Sequence, residues 1–284
     1  MKIGYREKIL ILTSALASVV SWMFRWNWRG HKAPTFNGNL DDVVRDHIEY
    51  LKVPFHQRNF KNLLDNDPEA AKGEAVLRYF LASQQLDPEP GETEERGGLD
   101  FRCQPKNAVN QPIKGEEFWV EVTSLRPDVV ERHSGWPNTI EEGAGAFAII
   151  TEQLRRKTGS KIEQIRKHDQ NCLLAITSTH VGSSALLSRV GTQMFLSAGE
   201  EFFQDWREIS AILLVSVSCD CCQILGVLNP EADYPFNIGY LGDVPFLRAK
   251  DWPPSSTGDV KSEWVVGYPP PLQNDYLFFP PITS

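Results

Sequence analysis

Apolar residues from Leu40 to Leu51 recur at helical spacing behind Asp41 and Asp42, and the spacing predicts an accessory helix. The run Asp65-Asn66-Asp67-Pro68-Glu69 is a helix start. Short polar side chains there accept from the unpartnered first N–H groups, and proline in the first turn has no N–H to lose. The alanine-rich amphipathic stretch from Ala70 to Leu86 continues that helix and carries Glu74. From Leu99 the period shortens to two. Leu99 to Cys103 is a short strand, and Glu117 to Leu125 sets Phe118, Val120 and Val122 against Trp119, Glu121 and Thr123. Ile140 to His168 has helical character weakened by Gly143, Gly145 and Gly159. Three further strands are expected: Cys172 to Thr177, the end of Arg207 to Val217, and Gln223 to Leu228, which Asn229-Pro230 closes. Strands interleaved with helices predict an α/β fold, a mixed β-sheet flanked by helices.

Between these elements, Asp87 to Gly98 is acidic and rich in Pro and Gly, and reads as a solvated loop. The chain divides into an apolar N-terminal helix (1–30), a linker with the accessory helix (31–65), a core (66–250) and an irregular Pro-rich tail (251–284). Within the first segment Lys2, Arg6 and Lys8 precede the apolar run Ile9 to Phe24. About sixteen residues at ~1.5 Å each reach about 24 Å, short of a ~30 Å hydrocarbon core. Thr13, Ser14, Ser18 and Ser21 dilute the run, and Arg25 and Arg29 follow it. A cytoplasmic protein is the main expectation; membrane association through residues 9–24 is the alternative.

The formal charge of −8 argues against a surface that coats nucleic acid by bulk electrostatics, so any such contact is local. A bound divalent cation would reverse the field at an acidic site. Five cysteines, three of them at Cys219, Cys221 and Cys222, do not suggest a disulfide framework, and they lack a second ligand pair spaced for zinc. The cluster reads as buried thiols at a strand end.

A carboxylate inside Trp119-Val120-Glu121-Val122 needs a reason, because a charge in a buried strand is costly. If the strands bearing Asp100 and Glu121 pair, two carboxylates meet on one face, as a hard cation requires. Arg102 shares a face with Asp100. His133, His168 and His180 are scattered, no Gly-x-Ser-x-Gly elbow is present, and no phosphate loop ends in Gly-Lys-Ser/Thr, so triad hydrolases and P-loop enzymes lack support. His47, Tyr50, Trp22 and Trp26 read as packing residues rather than a stacking platform.

Taken in order, Glu74 on a helix, Gly97-Gly98-Leu99-Asp100-Phe101-Arg102 and Phe118-Trp119-Val120-Glu121-Val122-Thr123 resemble the PD-(D/E)XK nuclease superfamily over about Glu74 to Asn229. In that family a helix glutamate, a strand aspartate and an acid-x-lysine strand are followed by a helix and another strand. The resemblance implies a restriction-endonuclease-like core and Mg²⁺ or Mn²⁺ on Asp100 and Glu121, with Glu74 as an outer or third ligand. It also implies hydrolysis of nucleic acid, DNA more than RNA. Thr123 stands where the family has lysine. Some members carry that lysine on the following helix, which here offers Lys161 with Gln164 one turn later and Lys157 one turn earlier; Arg102 is the second candidate. Two other functions fit: a member that keeps the fold without cleavage, as a binding or assembly module, and a membrane-anchored interaction domain.

Overall fold

A computed structural model describes residues 39–93, 98–106, 111–113, 115–125, 156, 161–168, 170–179, 196, 203–217, 222–242, 244–252, 260–265 and 277–278. The apolar run 9–24, Lys157, His133, His180, Cys219 and Cys221 lie outside them.

Three helices open the described chain: α1 (Leu40–Tyr50), α2 (Pro54–Asn66) and α3 (Pro68–Ser83). Asn39 and Asp42 form a reciprocal capping box at the start of α1, and Asp67 caps α3 with Pro68 in its first turn. The helix α2 occupies chain that the sequence assigns to a linker. It buries Phe60 while most of its length is polar.

The strands β1 (Glu89–Pro90), β2 (Phe101–Cys103), β3 (Phe118–Leu125), β4 (Cys172–Ser178), β5 (Ala211–Val217), β6 (Cys222–Leu228), β7 (Phe246–Ala249), β8 (Ser262–Val265) and β9 (Leu277–Phe278) form one mixed sheet. They lie in chain order from β1 to β8, with β9 on β6. Pairing is antiparallel across β1–β2–β3, parallel across β3–β4–β5, antiparallel for β5–β6, parallel for β6–β7 and antiparallel for β7–β8 and β6–β9. The fold is thus α/β, as the interleaved periods predict. Two expectations change. The stretch 251–284 contributes β8 and β9 to the sheet instead of lying wholly as an irregular wrap, and the acidic segment after Leu86 contains β1.

Both faces of the sheet are covered. Phe118, Val120, Leu173, Ala175, Leu213 and Val215 pack with the apolar sides of α1–α3, while Leu174, Ile176, Ile212, Leu214, Leu225 and Val227 pack with Ile162, Ile165, Phe203 and Trp206. Adjacent residues of one strand thus enter different cores, which is why β4 and β5 read as continuous apolar runs. Asn229 follows β6 at the open end of the β5–β6 pair. Its buried amide donates to Trp206 O (2.8 Å) and Ile209 O (2.9 Å), and its Oδ1 accepts from the Glu231 N–H (2.9 Å). Cys103, Cys172 and Cys222 are free buried thiols. Among the described residues, no helix is long and apolar enough to cross a membrane.

Candidate functional site

The last pair in the β2–β3 ladder is Phe101 with Val120, so Asp100 stands opposite Glu121, one step past the end of the ladder. Val122 has its N–H near this end, and Asp100 Oδ2 accepts it at 2.6 Å. The aspartate thus caps the strand edge that β2 leaves uncovered. Glu121 is fully buried on the opposite face from Val120 and Val122. Its Oε1 accepts from Lys161 Nζ and its Oε2 from Gln164 Nε2 at 3.3 Å, and the same Gln164 amide donates to Gly98 O. Residues 161–165 are helical, so Lys161 and Gln164 lie one turn apart and face the same side. Ile162 and Ile165 anchor that turn in the core.

Glu74 arrives from α3 on the other side of the sheet. Gly73 beside it packs so closely on β4 that a Cβ there would collide with the Thr177 side chain. Glu74 Oε1 lies 3.2 Å from His47 Nε2 of α1, and its charge bears on that of Asp100. A further acid belongs to this neighbourhood. Glu92, in the segment read as a solvated loop, is half-buried, accepts from Asn59 Nδ2 at 3.4 Å, and adds negative potential at Glu74, Asp100, Glu121 and Lys161. Gly91 and Gly98 bring it there. A Cβ on Gly91 would strike Leu99 O and one on Gly98 would strike Gly91 O, so only glycine lets these two backbones approach so closely. The glycine pair flanking the acidic run was the signal for this contact.

Crowding acids away from water raises their proton affinity. Burial first, then the charges of Glu92 and Glu121, pushes the Glu74 carboxyl up to about 8. Burial and Glu74 push Asp100 up to about 8 against the pull of the Val122 N–H and Lys161. Burial and Asp100 do the same to Glu121, again to about 8, against Lys161. Burial draws the Lys161 ammonium down, but Glu121, Asp100 and Glu92 outweigh it and hold its pKa above the usual lysine value. The acids and the ammonium therefore titrate as one coupled group.

The remaining predicted residues sit elsewhere. Arg102 pairs with Glu117 (2.7 Å) and, more loosely, with Glu89 (3.9 Å). Thr123 is buried, and its backbone carbonyl accepts from Thr177 Oγ1 at 3.4 Å. His168 packs against Trp119 with ring centroids 4.7 Å apart. Among the described residues, no three His, Cys, Asp or Glu side chains converge to hold one metal ion. Two carboxylates and several waters are nevertheless the usual set for Mg²⁺, and Mn²⁺ takes the same hard oxygens. The raised carboxyls are a position where a divalent cation would relieve repulsion. No family model, curated protein or solved structure matches this chain.

Proposed function

We propose that the chain is a metal-dependent nuclease with a restriction-endonuclease-like core, acting on the phosphodiester bonds of nucleic acid, DNA in preference to RNA. The observation that carries the reading is the contact of Lys161 with buried Glu121, beside an Asp100 fixed on the Val122 N–H. It supports a lysine delivered from the helix after β3, in place of the one that Thr123 replaces. The order helix, antiparallel strand pair, helical turn at 161–165 and parallel strand supports it as well.

In this reading Asp100 and Glu121 would hold Mg²⁺ or Mn²⁺, which would supply an activated water and charge to offset the phosphate. Val122 holds Asp100 in one rotamer through its N–H. Gln164 ties Glu121 to the Gly98 carbonyl, so the carboxylate cannot swing away. Lys161, about a third exposed at its side chain, presents a positive charge where the developing negative charge of the phosphoryl group would need it. Glu74 would take the part of an outer ligand, holding water near the two carboxylates.

Incubation of the native protein, Asp100→Ala, Glu121→Ala and Lys161→Ala with DNA and RNA in Mg²⁺ or Mn²⁺ tests this. The expected result is cutting that both carboxylate variants lose and Lys161→Ala slows by about 10²–10³-fold. Cutting that survives removal of both carboxylates would refute it. A second reading, a nuclease fold that binds without cleaving, draws support from Thr123 and from the lack of a three-donor group among the described residues. Nucleic-acid binding by a native protein that cuts nothing would decide for it.

A further inference from the structure

His47 carries an unexplained feature. The side chain is fully buried, between Phe60 at 4.4 Å and Phe101 at 6.2 Å between ring centroids, with Tyr50 at 5.7 Å. Among the described residues its Nδ1 has no hydrogen-bond partner, and its Nε2 meets Glu74 Oε1. An apolar side chain would fill this space without leaving a buried nitrogen unpaired, a state that costs stability. Packing alone therefore does not account for an imidazole here.

The geometry also selects a tautomer. An orphaned buried N–H is rarer than an under-used acceptor. With the proton on Nε2, the one donor of the neutral ring is satisfied by Glu74 and only the Nδ1 lone pair faces the aromatic wall. Burial and the Arg78 charge keep the ring neutral.

We infer that His47 is a positioning residue for Glu74: a helix outside the sheet donates Nε2–H to one carboxylate oxygen and so fixes how that carboxylate faces the acid cluster. This rests on the proposed metal site, in which Glu74 orders outer-sphere water. Phe101, the residue after Asp100, packs against the same imidazole, so α1 braces two of the acids together.

The test compares the native protein with His47→Phe, His47→Gln, Glu74→Gln and the double variant His47→Phe/Glu74→Gln, by thermal unfolding without metal and by Mn²⁺ binding in calorimetry. His47→Phe is expected to unfold at or above the native temperature, because no nitrogen is left unpaired, yet to bind Mn²⁺ about 10-fold more weakly, as loss of an outer-shell partner does. His47→Gln, whose amide can still donate, should recover most of that affinity. The double variant should bind no more weakly than Glu74→Gln alone. Native-like Mn²⁺ affinity in His47→Phe, or losses that add in the double variant, would overturn the inference while leaving the metal site intact. A native protein that takes up no Mn²⁺ would overturn both together. Should His47→Phe fail to fold, unchanged Mn²⁺ affinity in Glu74→Gln overturns the inference, and weakened affinity there with near-native affinity in His47→Gln supports it.

Discussion

Glu121 is the residue on which the site's energetics turn. A fully buried carboxyl with Asp100 as neighbour keeps its proton more tightly than in the unfolded chain, and so do Asp100 and Glu74. Their folded values of about 8 lie above the ordinary 4.5 for glutamate and 3.8 for aspartate. Between those limits the folded state binds more protons, so stability present at low pH is lost as pH rises toward 8. His47 works in the opposite direction, its ring held down to about 3 from 6.5, and its contribution falls as pH drops below 6.5. Between about pH 7 and 8 the acids dominate. Without divalent metal, urea unfolding there should show stability falling with pH, by up to about 1.4 kcal/mol per pH unit for each retained proton. Glu121→Gln should flatten the slope. A native profile that is level or rises across this window would show that the acids are already ionised in the folded protein.

The strand β3 was legible because Phe118, Val120 and Val122 alternate with Trp119, Glu121 and Thr123, and the β2–β3 pairing on which the two-carboxylate reading depended is present. The helix α2 was not, since a run such as His56-Gln57-Arg58-Asn59 offers little apolar stripe and Phe60 alone is buried. His47 was legible only as packing: it follows Val43 and Val44 on the buried side of α1, and sequence cannot reveal that Glu74 lies across from it. Nor did the tail announce β8, because a strand made by pairing with β7 leaves no local period in a Pro-rich stretch. Gly73 shows how elements set the site. In Gly73→Ala the gain in helix propensity, about 1 kcal/mol, is outweighed by a clash costing about 1–3 kcal/mol against Thr177. Denaturant titration should therefore find Gly73→Ala destabilised and Gly73→Ala/Thr177→Ala partly restored. An unchanged midpoint in Gly73→Ala would mean that α3 can lift from β4 freely. Truncation after Lys250 probes the far edge: it removes β8 from β7, the pairing of Glu263 with Arg248 and with Lys250, and buried Val260. A lower, broader thermal transition is expected, and a native-like one would show that β7 stands without its neighbour.

Charge over the entire chain limits how such a protein could hold nucleic acid. A net −8 opposes a polyanion, so in the proposed reading nucleic acid would be held locally, through a divalent cation at the acid cluster. Several basic side chains are already taken: Arg102 by Glu117, Arg207 by Asp233, Arg166 by Glu163 and Glu208. If contact with nucleic acid is local, the dependence of affinity on monovalent salt should be shallow, because each phosphate contact adds about 0.9 to the slope of log K against log salt for duplex DNA. Fluorescence anisotropy with labelled DNA and Lys161→Ala in Ca²⁺, which would fill the proposed cation site without supporting the proposed cleavage, should give a slope of about −2 or smaller in magnitude, with binding abolished by chelation. A slope of about −6 that persists in chelator would instead reveal an extended basic surface, and would move the source of affinity from the metal to the protein's own cations.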